Sequence, residues 1–588
     1  MKDPKYARFL QECKTNPHFA HCSICKSDFS IANGGTYLIN RHIEQIGHKR
    51  LLAFEDKEKS RSMREFITPS TLLTKLTAAE LSLVYHGVHH GHSYLLFFPS
   101  RIIQQIKKTR FFSVPFDGSN KGNIKMFPFI INYFTIQLGI TRSVLEVNEQ
   151  PLETADHIVE ALHDALQKNG IDIQQMTAIG ADNTNITSQF ENSNNSGNIF
   201  FLTGNCYSHI LNNSVKTSHR HLLVNIELYL SQLYSHFSSS SKRVLALKEY
   251  FDLVEEDYMC PLQHIKIRWL NLFTSIDRLM KVYELLSSYF LNMNNDEYGE
   301  ICPSIIKEFF LSNVAKCTLH FLHQVLFDIQ MKNLELQRCS TSIADLNRIV
   351  TSLLKKLNDR LKQNYFEHQT RILLNSMHED TQQELTSSFI NYLSSIIKYI
   401  NKYYDDHRVL AESVAIFEIT EIDQVTFDQI ESCVSILNLE LDYDKLFEQM
   451  IDLQSTFKED EAADNEDEQF LHKTSTTQHH QKIRPDQVWA YLIAKTITNC
   501  DEITKLVSYV YSISCSNAFA EGVFSHMKPS WTASRNSMLS KTVAAELKIR
   551  LNCKTKYDQF FKFIQNENEV IKIAQSSQKY SHKRKTSS

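Results

Sequence analysis

The chain has 588 residues, 42% of them hydrophobic, with a formal net charge of -4. That length exceeds a single core and points to several structural units of roughly 100–200 residues each, while the hydrophobic share excludes wholesale disorder. With only 14 glycines and 11 prolines the chain lacks the breakers of a turn-rich all-β fold, so helix should dominate.

Residues 1–52 hold the first motif. Cys22-x-x-Cys25 brings two thiolates onto a tight knuckle, and His42 and His48, with five residues between them, place two imidazoles near the end of a short helix. Four nitrogen and sulfur donors fill a tetrahedral zinc shell without an open position, so a structural zinc ion is expected. Phe29 is a candidate apolar plug, and Arg41, Lys49 and Arg50 flank the histidines where they could reach phosphates. A finger of this kind can also bind protein, and that alternative stays open.

Residues 53–108 read as a charged linker followed by a helical segment, in which Thr77 is a candidate N-cap with Glu80 in capping-box position. A different pattern fills 109–220. The runs 110–117, 126–134 and 142–147 are rich in aromatic and β-branched residues and predict three successive strands. An amphipathic helix over 152–168 and two further strands, at 176–182 and 199–203, complete an α/β unit. From 221 to 455 the pattern is helical, with periodic segments at 221–255, 270–293, 303–335, 342–365 and 382–405. Residues 456–484 contain the acidic run around Glu459, Asp460 and Glu461 and read as a solvent loop. Helices resume over 485–566, and the basic cluster His582-Lys583-Arg584-Lys585 lies in a tail at 567–588.

The twelve cysteines form no dense framework, and no secretory leader precedes them, so reduced thiols in cytosol or nucleus are expected. The longest apolar stretch, 126–140, is broken by Pro128, Asn132 and Gln137 and falls short of the ~20 residues of a membrane span. No membrane partner is expected.

Two carboxylates sit at predicted strand ends. Asp117 precedes Gly118-Ser119-Asn120 and Asp182 precedes Asn183-Thr184-Asn185, and such positions can converge at one sheet edge to share Mg²⁺ for phosphoryl transfer. Glu521, in a small-residue helix start that could pack closely on the sheet, is the candidate third acid. The alternative is that all three are turn residues or helix caps.

In order along the chain, Phe116-Asp117-Gly118-Ser119-Asn120, Ile179-Gly180-Ala181-Asp182-Asn183, Cys206-Tyr207-Ser208-His209, Arg268-Trp269 and Ala520-Glu521-Gly522 through Arg550 resemble the signatures of the hAT superfamily of cut-and-paste transposases and the host proteins derived from them. The resemblance implies an RNase H-like core interrupted by a large all-α insertion, an N-terminal BED-like zinc finger and a helical C-terminal dimerisation region. It implies Asp117, Asp182 and Glu521 as ligands of Mg²⁺ or Mn²⁺, double-stranded DNA as partner, and nuclear localisation. Trp269 would stack on a displaced base beside Arg268; as one of three tryptophans it could instead be core. Cys206 and His209, one helical turn apart with no second ligand pair, read as core packing. The apolar face of Val543, Ala544, Leu547, Ile549 and Leu551 beside Phe560, Phe561 and Phe563 predicts a homodimer or larger assembly through 486–566. Gly522 departs from the family pattern, which places arginine after the glutamate. The expected function is therefore a DNA-binding, dimerising protein of transposase descent with reduced activity. The alternatives are a working transposase and a protein-interaction scaffold.

Overall fold

The computed structural model describes most of residues 9–49, 105–181, 202–262, 271–292, 303–471, 484–531 and 539–571, with short breaks inside these spans, together with Tyr6, Ala78, Ala79, Leu81, Ser82 and Ala574. Met1–Gly87 with Thr555–Ser588 form one compact unit, and Val88–Lys554 form a second.

In the first unit, strands β1 (Leu10–Glu12), β2 (Phe19–Cys22) and β3 (Ser27–Ser30) make an antiparallel sheet, followed by helix α1 (Gly35–Glu44). Gly35 opens the helix at φ +45°, which an L side chain would strain. The core of this element is small: Tyr6, Phe9, Leu10, Ala20, Cys22 and Ile39. A further helix of this unit runs over Tyr557–Ile564.

The second unit opens with β4 (Phe112–Pro115), the short β5 (Ser119–Lys121), β6 (Ile124–Thr135) and β7 (Gly139–Glu149). Helix α2 (Ala155–Lys168) leads to β8 (Met176–Ala181) and β9 (Leu202–Asn205), and α3 (Tyr207–Ser218) follows. β6 pairs antiparallel with β7 and with β4; β4 pairs parallel with β8, and β8 parallel with β9. The main order is thus β7-β6-β4-β8-β9, with β5 on the start of β6.

Alternation along β6 sends its side chains into two cores. Phe129, Ile131 and Tyr133 join Phe112 and Val114 against Ile158, Leu162 and Leu166 of α2. Met126 and Ile130 point the other way, onto residues from the far end of the chain. Each such fully buried apolar side chain contributes about 1.5–3 kcal/mol. Pro128, which cannot donate to the ladder, lies beside the register shift at Phe129/Ile130, where a lost hydrogen bond costs least.

An all-helical region follows: α4 (Ile226–Ser238), α5 (Ser241–Leu253), α6 (Asn271–Lys281), α7 (Tyr283–Asn292), α8 (Ser304–Leu311), α9 (Asn313–Leu336), α10 (Ile343–Gln363), α11 (His368–Asn375), α12 (Glu379–Tyr404), α13 (Arg408–Ser413), α14 (Phe427–Leu437) and α15 (Tyr443–Leu471). Local chemistry sets these ends. Ser342 with Asp345 and Thr426 with Gln429 form capping boxes at the starts of α10 and α14, and Asn364 and Asn438 close both helices in the left-handed region. The chain then returns through α16 (Pro485–Lys495), α17 (Asp501–Ser512), α18 (Ala518–Ser530) and α19 (Ser540–Asn552). Among the described residues no helix is long and apolar enough to cross a membrane. The architecture is mixed α/β with a large helical part, as expected.

Two expectations change. The acidic run expected to be a loop from 456 continues α15 to Leu471. Glutamate and alanine are good helix formers, and a helix already nucleated by the buried Leu446, Met450 and Leu453 adds residues at little cost. The rest of that expected loop, 472–483, lies outside the described residues. The apolar face assigned to dimerisation is also largely spent within the chain. Val543, Ala544 and Leu547 are buried with Met126, Ile130, Val144 and Val147 of β6 and β7, and Ile549 is 2% exposed.

Candidate metal centres

The β2–β3 turn presents Cys22 and Cys25, while α1 carries His42 and a short helical segment farther along carries His48. One ligand atom from each of the four lies within 4.8 Å of the others. His48 Nδ1 stands 3.3 Å from Cys25 Sγ and 3.6 Å from Cys22 Sγ, and the Cys25 amide donates to Cys22 Sγ at 3.5 Å, the knuckle expected of Cys-x-x-Cys. Phe29 stacks on the His42 ring at 4.2 Å, so it is a plug in direct contact with a ligand. His42 Nε2 is buried without a hydrogen-bond partner, a costly state for a polar atom unless it binds something, whereas His48 turns Nδ1 to the sulfurs.

Electrostatics point the same way. Burial, reinforced by the neighbouring Cys22 thiol, pushes the Cys25 thiol up to about 11. Burial also lowers both histidines below their usual value, with His48 adding to the effect on His42. Neutral imidazoles are the ligating form, and a cation is what would deprotonate the thiols. The cluster could hold one metal ion such as zinc, with no position left for substrate. Arg41 and Lys49 are exposed on this element; Arg50 lies outside the described residues.

A second group forms in the larger unit, where Asp117, His209 and Glu521 place ligand atoms within 4.8 Å of one another. Asp117 follows β4, and its Oδ1 accepts from the Gly118 amide at 2.7 Å. His209 projects from the first turn of α3 and Glu521 from the first turn of α18, with His209 Nε2 at 3.8 Å from Glu521 Oε1. The histidine is 14% exposed and the glutamate 35%, a recess open to solvent on one side. Two carboxylates and an imidazole suit a divalent cation with open positions.

The segment before α18 creates this meeting. Asn517 Nδ2 donates to the Phe116 carbonyl at 3.1 Å across 401 residues of sequence, and the Asn517 amide donates to Cys206 Sγ at 3.1 Å. The Tyr207 amide donates to the Cys515 carbonyl at 3.1 Å. Gly180 permits the approach: a Cβ there would meet Asn517 Oδ1 at 2.7 Å. Farther back, Asn132 Nδ2 and Ser113 Oγ both donate to the Ser512 carbonyl, at 2.6 Å each, anchoring the end of α17 to the sheet.

The reading of Cys206 and His209 as packing therefore holds for the cysteine, which is 2% exposed, and misses the histidine. Cys206 is the N-cap of α3 and His209 lies in its first turn, and nothing in that spacing separates a packing residue from a site residue. Asp182, next after β8, lies outside the described residues, as do Arg268 and Trp269. A cavity of about 430 Å³ lined by Lys216, His219, Arg220, Leu272 and Leu322 lies at the opposite end of α3 and belongs to neither cluster.

Gly522 faces open space, and a Cβ added there would have no neighbour within 4 Å. Gly522→Ala should therefore stabilise the protein by about 1 kcal/mol through helix propensity alone. Chemical denaturation reads this as a raised midpoint; a lowered one would show that the backbone there requires glycine.

No protein-family model matches the chain, and no curated protein matches it.

Proposed function

We propose that this chain is a zinc-finger DNA-binding protein of hAT transposase descent, built on an RNase H-like core and reduced in strand-cleaving activity. The observation that carries the reading is the cluster itself: Asp117 and Glu521, which flank a large helical insertion, share one recess with His209. The sheet supports it, since a β7-β6-β4-β8-β9 order with antiparallel then parallel pairing sets the residue after the central strand at an edge where metal-dependent nucleases carry a carboxylate. In this reading Asp182 joins Asp117 and Glu521 around Mg²⁺ or Mn²⁺, and the metal activates water or a 3′-hydroxyl for attack on phosphate. Arg268 and Trp269 contact the displaced strand, and Arg41, Lys49 and Arg50 contact duplex phosphates in the nucleus. Gly522 supports reduced activity, because it stands where the resemblance places an arginine directly after the glutamate. The intact acids favour the second reading, a working transposase.

Oligomerisation through 486–566 stays part of the proposal, now by way of exposed Tyr491 and Leu539 rather than the covered face of α19. A monomeric light-scattering mass at micromolar concentration argues against it.

The test uses the full chain. Mn²⁺ binding, read by electron paramagnetic resonance, should weaken by about 10- to 100-fold or more in Asp117→Ala. Duplex DNA retention should fall by about 10³–10⁵ between 50 and 200 mM salt if six to ten phosphates are held. Unchanged Mn²⁺ affinity removes the metal assignment. Failure to retain any duplex at low salt favours the protein-interaction scaffold.

A further inference from the structure

α15 presents an apolar stripe to solvent. Tyr443, Phe447 and Ile451, four residues apart on one helix face, are 40%, 46% and 46% exposed. The core-facing residues of the same helix, Leu446, Met450 and Leu453, are 0%, 2% and 0% exposed, so the stripe is additional to the face that anchors the helix. Phe427 of α14 widens it, meeting Phe447 edge to face with ring centroids 5.0 Å apart.

The rim of this stripe is acidic. Asp444, Glu448 and Asp452 recur every fourth residue beside it, and Asp428 and Glu431 of α14 are exposed on the neighbouring helix. Within 440–457 the one lysine is Lys445, and its Nζ is 2.8 Å from Asp442 Oδ2. Farther along the same helix come Glu459, Asp460, Glu461, Asp464, Glu466, Asp467 and Glu468. Such a face repels a phosphate backbone, so it is unavailable to DNA whatever the rest of the chain binds.

We propose that the α14–α15 face docks a basic amphipathic helix of a partner protein. Three apolar anchors at helical spacing match a partner helix with apolar residues at the same interval, as in recognition of a helix by a groove. Lysines and arginines flanking those anchors would meet the Asp444, Glu448 and Asp452 column, which supplies orientation and on-rate, while Phe447 with Phe427 supplies the central apolar contact. The inference is independent of the proposed nuclease-like site, because α15 supplies no residue to it.

The test titrates the full-length protein with a fluorescent designed peptide, an 18-residue helix with leucines at four-residue intervals flanked by lysine and arginine. Anisotropy should show saturable binding that weakens with salt, while a scrambled peptide and one with glutamates in place of its cations should not bind. Phe447→Ala with Ile451→Ala should weaken the designed peptide at least tenfold. Asp444→Lys with Glu448→Lys, which changes only exposed side chains, should do the same with an unchanged melting temperature. Equal binding of the scrambled peptide, or undiminished binding in the charge-reversal variant, overturns the proposal. So does a fall in light-scattering mass in the Phe447/Ile451 variant, since a second copy would then be the occupant.

Discussion

Cys22→Ser is expected to abolish metal binding at the N-terminal cluster and unfold the element of strands β1–β3 and helix α1 that carries it. The core of that element is Tyr6, Phe9, Leu10, Ala20, Cys22 and Ile39, and one of those is itself a ligand. Elements below about 40 residues rarely stand on apolar burial alone, whereas a structural zinc contributes about 10–16 kcal/mol at neutral pH. Circular dichroism should show loss of helix, and a chromophoric chelator should find one metal equivalent fewer. Cys13→Ser, outside the ligand set, should change neither. Retention of stoichiometric metal and helix in Cys22→Ser would sink the assignment.

The pH dependence follows from the two histidines. Both are held below the ordinary histidine value of 6.5 by burial, so between their folded values and 6.5 the unfolded chain binds more protons than the folded one. Stability is therefore complete above that value and declines as pH falls beneath it. Metal binding sharpens the decline, because protons compete for the same imidazoles and for the thiols. Helix content and metal occupancy should fall together on acidification; stability that rises there contradicts the assignment.

Gly180→Ala is expected to cost about 1–3 kcal/mol through overpacking and to weaken Mn²⁺ binding at a site whose ligands it does not touch. The added Cβ would meet Asn517 Oδ1 at 2.7 Å and the Pro115 backbone and side chain at 3.4 Å, between two strands that cannot separate. Asn517 must move, and with it the bond to Phe116 and the first turn of α18 that presents Glu521. The same substitution at Gly522, one residue past Glu521 but in open space, should have the opposite sign on stability. Equal effects from the two glycines would show that close approach at Gly180 is not what assembles the recess.

Much of this was legible locally. Cys22, Cys25, His42 and His48 lie within 27 residues, and their donor chemistry announces a metal without reference to any other part of the chain. Aromatic and β-branched runs gave β4, β6 and β7, and helical periodicity gave α10 and α12 to within a few residues, whereas the segment expected at 303–335 is two helices, α8 and α9, parted at Ser312. Period and side-chain type are properties of short segments, and those segments obeyed them.

Tertiary structure decided what each buried face is buried against. The apolar stripe of α19 reads equally well as a dimer seam or a core face, and packing against β6 and β7 settled it for Val543, Ala544 and Leu547. His209 was invisible as a site residue because its neighbours, Asp117 and Glu521, come from opposite ends of the second unit. Local pattern sufficed for a candidate metal cluster in the N-terminal element, an α/β segment and a helical majority. Only the fold could bring the two acids and the histidine together, because that meeting depends on contacts such as Asn517 to Phe116, made across 401 residues where no local pattern reaches.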